Sequence, residues 1–168
     1  DPFMKDYGKV AELSLKIIYK LNKAGIRVTT LTKGIYPEVI YNNGFLLSNE
    51  YGITIVSLKE DHRAKYEPNA FPYEERIDTL RKIHDAGLKT WVSIEPYPTP
   101  NIVKQDLDVI LKKISFVDKI IFGRLNYCKE VGVYLNQKAF YNECSEEVIR
   151  FCRNHDIAFH IKNGTITN

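Results

Sequence analysis

The sequence has no long hydrophobic run and little sulfur. No apolar stretch approaches the roughly 20 residues needed to cross a bilayer, and the opening Asp1-Pro2-Phe3-Met4-Lys5-Asp6 lacks the basic start and apolar core of a signal peptide. A cytoplasmic location and no membrane partner are expected. Only three cysteines occur, Cys128, Cys144 and Cys152. Their odd number and wide spacing fit reduced packing thiols better than a disulfide framework. His62, His84, His155 and His160 are scattered, with no H-x-x-x-H or CxxC companion, so no metal set is expected. No G-x-G-x-x-G or P-loop follows any apolar run, which weakens a dinucleotide or nucleoside triphosphate reading. Charge of one sign is also missing: 24 basic and 21 acidic residues are spread along the chain, leaving no concentrated phosphate-binding stripe.

What remains is an ordinary globular composition, 44% hydrophobic and 27% charged over 168 residues. Length alone predicts a single domain over 1–168. The start without an initiator Met, running straight into a loop and helix, is the start expected of a piece of something longer.

Apolar residues from Tyr7 to Asn22 recur near helical period, with Gly25 as the stop. A short β-branched run follows at Ile26 to Leu31, of the kind that makes a buried parallel strand. The same grammar repeats: strands are predicted at 51–58, 88–94, 119–122 and 157–161, with helices at 74–86 and 103–114 and a last helix starting near Ser145, whose hydroxyl would cap it. Alternating helices and strands imply a parallel sheet, and the fold class expected is α/β, a partial (β/α) barrel of about five βα units or a doubly wound sheet.

Polar residues gather just after the strands, while helix-to-strand connections such as Lys23-Ala24-Gly25 are short. In both architectures ligands bind at the carboxyl ends of the strands, so that face is the expected site. Lys33, in Thr32-Lys33-Gly34, could pair with a ligand carboxylate or phosphate. Ser57 could cap backbone or bind a ligand. Glu67 and Glu95, each before a proline, could form an acid/base pair, and Arg76 could reach Glu67 or an anionic ligand. Each residue also has an ordinary reading as a loop or surface side chain.

Asp1-Pro2-Phe3, Leu31-Thr32-Lys33-Gly34, Val56-Ser57-Leu58, Tyr66-Glu67-Pro68-Asn69-Ala70 with Arg76, Asp85-Ala86-Gly87-Leu88 and Trp91-Val92-Ser93-Ile94-Glu95-Pro96 follow one another in an order that resembles the spore photoproduct lyase-like branch of the radical SAM proteins. The resemblance covers roughly positions 1–126. It implies a partial barrel with S-adenosylmethionine across the strand ends beside a four-iron four-sulfur cluster, the cofactors carrying the radical chemistry. It also implies that Lys33 and Ser57 match positions holding the methionine or ribose part of S-adenosylmethionine, and that Glu67, Arg76 and Glu95 match motif positions. DNA is a candidate substrate on the same ground. The family's C-x-x-x-C-x-x-C cluster loop is absent. The expectation is therefore a C-terminal portion whose cluster-bearing N-terminal barrel segment lies outside this sequence. Two rivals stand beside it: a barrel-type hydrolase using Glu67 and Glu95, and a non-enzymatic α/β binding module.

Overall fold

In the computed structural model, which describes residues 1–42 and 44–167, helices and strands alternate through the chain. The order is α1 (Gly8–Lys23), β1 (Thr29–Thr32), α2 (Val39–Asn42), β2 (Glu50–Thr54), α3 (Glu60–Tyr66), α4 (Tyr73–Asp85), β3 (Lys89–Tyr97), α5 (Leu107–Lys113), β4 (Lys119–Arg124), α6 (Lys129–Gly132), α7 (Gln137–Asn154) and β5 (Ala158–Ile161). The strands form one five-stranded parallel sheet in sequence order, β1-β2-β3-β4-β5. Thr29 lies opposite Glu50 in the first pair, and Lys119 opposite Ala158 in the last. Unbroken sequence order with a helix in each return is the topology of a partial β/α barrel.

The backbone separates into two compact units: residues 1–54 with 59–91, and residues 55–58 with 92–168. In the first, Tyr51, Ile53, Tyr73, Ile77, Leu80 and Ile83 are buried, so β2 and the inner face of α4 supply its core. Asn22 and Asn49 are buried with them, each amide donating to the other's carbonyl at 3.0 and 2.8 Å. Asn49 Oδ1 also accepts from Val28 N, and Asn22 Oδ1 from Leu46 N. The pair thus joins the end of α1 to the entries of β1 and β2, satisfying buried groups that would otherwise be orphaned.

Helix α1 presents more apolar surface than this core uses. Val10, Leu13 and Ile17, a stripe at i, i+3 and i+7, are 44%, 58% and 50% exposed. Strand β1, first in the sheet, also exposes Leu31.

In the second unit Val92, Ile94, Leu111, Ile120, Phe122, Val148 and Cys152 form the core. Helix α5 is capped by Asp106, whose carboxylate accepts from Asp108 N. It begins four residues later than the predicted start at Val103, because the cap lies at Asp106. Ser145 does not open the last helix. Helix α7 begins at Gln137, and the Ser145 hydroxyl, buried in its middle, donates back to Tyr141 O at 2.6 Å. Strand β1 is offset from its predicted span, with Ile26 exposed ahead of it.

Replacing Asn49 with Ala is expected to cost roughly 2–4 kcal/mol of unfolding free energy, since about 1–3 kcal/mol attaches to each buried polar group left unpaired. Urea unfolding of the variant against the parent protein checks it.

Candidate functional site

In the first unit the end of β1 is built around carboxylates. Asp1 accepts from the Thr32 hydroxyl and, at 2.6 Å, from Lys33 N. Gly34 passes against Phe3 so closely that a Cβ there would lie 1.6 Å from the Phe3 carbonyl oxygen, so no larger residue fits. These contacts fix the backbone of Thr32-Lys33-Gly34, and with it the root of the Lys33 side chain.

The Lys33 ammonium lies 2.8 Å from Glu67 Oε1, and the other oxygen of Glu67 lies 2.9 Å from Arg76 Nη2. Glu67 follows α3, and Arg76 is in the first turns of α4. Arg76 is fully buried and each guanidinium nitrogen has a partner: Nε donates to Phe71 O at 2.7 Å and Nη1 to Thr54 O at 2.9 Å. The guanidinium also lies over the Tyr73 ring. Arg76 therefore ties the end of β2, the Glu67 loop and the start of α4 together. Of the three charged groups Lys33 alone reaches solvent, its side chain 34% exposed against 4% for Glu67 and 0% for Arg76.

Burial pushes the Glu67 carboxyl upward, but the hydrogen bond and charge of Lys33, joined by Arg76, outweigh it and hold the group below its ordinary range. A carboxyl kept ionised between two cations is a poor proton donor, so the acid role considered for Glu67 finds no support in its surroundings.

In the second unit Ser57 is fully buried beyond β2, next to Val56, whose carbonyl accepts from Gln105 Nε2 at 2.8 Å. Glu95, near the end of β3, is partly exposed and faces Lys162 Nζ at 3.4 Å. Its side chain lies across Gly123 of β4, where a Cβ would sit 2.8 Å from Glu95 Cδ, so glycine there makes room for the carboxylate. The Tyr141 hydroxyl donates to Tyr97 O at 2.8 Å and accepts from Leu125 N, joining α7 to the ends of β3 and β4. Lys162 is a further strand-end cation that motif reading did not single out. Its signal was available, since it directly follows the fifth strand, as Lys33 follows the first.

The three cysteines do not form a cluster-binding group: Cys128 precedes α6, while Cys144 and Cys152 are buried in α7, where burial pushes their thiols up to about 12 and about 11. Among the described residues no three His, Cys, Asp or Glu side chains are grouped to hold a metal ion. Among them, too, no helix is long and apolar enough to cross a membrane.

No family model matches the chain. Its sequence is 30% identical over 137 residues to the uncharacterized protein ORF301 of Acidianus two-tailed virus, a match covering 74% of this chain and 43% of that protein. The chain thus spans less than half the length of this curated relative. Among solved structures it is similar to Streptococcus suis SuiB bound to S-adenosylmethionine, with TM-score 0.61 and 12% identity over 94% of this chain and 37% of SuiB. SuiB bound to the precursor peptide SuiA matches with TM-score 0.58 and 14% identity over 94% of this chain and 36% of that chain. At such identities the likeness is one of fold.

The pH dependence of Glu67 has a definite sign. Its folded-state value is depressed below the ordinary value of 4.5, so its contribution is complete at neutral pH and is lost as pH falls below about 4.5. Glu67→Gln, which leaves buried Arg76 without its counter-charge, is expected to lose roughly 3–5 kcal/mol at pH 7. The gap to the parent protein narrows in acid, as read by unfolding curves at pH 7, 5 and 3.

Proposed function

We propose that this chain is the later part of a radical SAM enzyme barrel and that its strand ends bind S-adenosylmethionine. The observation that carries the reading is Lys33. It follows a parallel strand, its backbone is held by Asp1, and its ammonium is placed by a buried Glu67–Arg76 pair while still reaching solvent. One donor is committed to Glu67, and the remaining ones suit the methionine carboxylate. Glu67 and Arg76 act through Lys33, positioning it without touching ligand.

Three lines support this reading: the ordered motifs, the parallel sheet with polar strand ends, and the likeness of fold to a protein crystallised with S-adenosylmethionine. S-adenosylmethionine with a four-iron four-sulfur cluster would supply the radical chemistry. The cluster's thiolates are assigned to a segment outside this sequence, and the exposed stripe of α1 and the first place of β1 in the sheet each fit a barrel with earlier βα units. The full-length enzyme, not this portion, would be the active species. Substrate is a separate matter: SuiB's precursor peptide makes a peptide one class to test, and the spore photoproduct lyase resemblance makes DNA another.

Calorimetric titration of the full-length protein with S-adenosylmethionine tests the proposal. Binding is expected, weakened at least tenfold by Lys33→Gln in a variant that still unfolds cooperatively. Absence of binding, or equal binding by the variant, overturns the assignment.

A further inference from the structure

In the second unit a pocket lies where β4 ends. It has a volume of about 370 Å³, and Arg124, Asn126, Tyr127, Lys129 and Gln137 are among its walls. That is enough room for one charged functional group and the atoms next to it.

The charge on these walls is one-sided. Arg124 is half-buried, and its Nε donates to Asn126 Oδ1 at 2.7 Å. This bond holds one edge of the guanidinium, and its Nη2 lies on the side of Gly164, 3.8 Å from where a Cβ there would stand; no acidic side chain is among the walls of the pocket. The neighbouring acid, Glu130, receives the Cys128 thiol at 3.0 Å and is not among the pocket walls. Asn126 and Gln137 add amide groups. A guanidinium held along one edge, a second cation and two amides around one small cavity are the donor set of an oxyanion site.

Backbone geometry at the mouth points the same way. Tyr127 has φ of +57°, a left-handed conformation that is costly for a large aromatic residue, and its ring stands fully in solvent. A costly conformation that exposes an aromatic ring beside a cationic pocket gains nothing for packing, and such conformations gather at ligand sites.

We propose that this pocket binds the oxyanion of a ligand, a carboxylate or a phosphate monoester, with Arg124 as the two-pronged donor, Lys129 as the second cation and Tyr127 against the ligand's adjoining body. The assignment does not rest on S-adenosylmethionine binding. It places a recognition point for an acidic molecule at the strand ends of the second unit.

The test is an amide chemical-shift titration of the protein at low ionic strength with sodium phosphate and, separately, with sodium acetate. Saturable shifts of the amides of residues 124–132 are expected. Arg124→Gln and Lys129→Gln should each weaken binding at least tenfold, while Lys16→Gln on α1 leaves it unchanged. Tighter binding of phosphate assigns a phosphate-bearing ligand, and tighter binding of acetate a carboxylate. Lys129 is exposed, so its variant decides the matter if Arg124→Gln fails to fold. The proposal is overturned if neither anion shifts these amides, or if the Lys129 variant binds both as the parent protein does.

Discussion

A guanidinium with no access to water must find all its partners within the protein. Arg76 finds them in the Thr54 carbonyl at the end of β2, the Phe71 carbonyl ahead of α4, and the Glu67 carboxylate. Each partner lies on a different stretch of chain, and leaving any one unmet would strand buried charge. The first unit is therefore constrained to one arrangement of its strand-end loops. Lys33 inherits that constraint: its backbone is held by Asp1 and its ammonium by Glu67, so the one exposed cation of the cluster is also a fixed one.

The second unit handles polarity differently. Its ion pair, Glu95 with Lys162, is longer and partly wet, so solvent screens it. Its rigid joint is neutral instead, the Tyr141 hydroxyl bridging Tyr97 O and Leu125 N. Burial pushes that hydroxyl up to about 12, so it stays protonated and keeps donating across the physiological range. One unit presents a charge clamped by buried charges, and the other presents charges around a neutral joint.

Much of this was legible in the sequence. All five strands were found at close to their observed places, with Ile26 to Leu31 displaced by a few residues; the buried strand expected there is an exposed edge instead, and β5 is largely exposed too, while β2, β3 and β4 are mostly buried. Helix α7 was read too short because Gln137–Asn142 mixes polar and aromatic residues without clean periodicity, and because a serine ahead of two glutamates imitates a cap. Spacing suggested that Arg76 reaches Glu67, as it does. Spacing could not show that Arg76 is wholly buried, which depends on the Thr54 and Phe71 carbonyls converging from distant parts of the chain. Nor could periodicity tell which half of the wide apolar face of α1 is covered, since both halves repeat at the same interval.

The two units are interleaved along the chain, because Ile55–Leu58 belongs with Val92–Asn168 while the residues on either side of it belong with the first unit. Ile55, Val56 and Ser57 are among the most buried residues of the protein. A recombination breakpoint near Trp91 would therefore join a second unit to another relative's version of its own segment Ile55–Leu58. Inheritance of this fold by exchange of pieces is restricted to moving both units together, or to changing Ile55–Leu58 in step with Val92–Asn168.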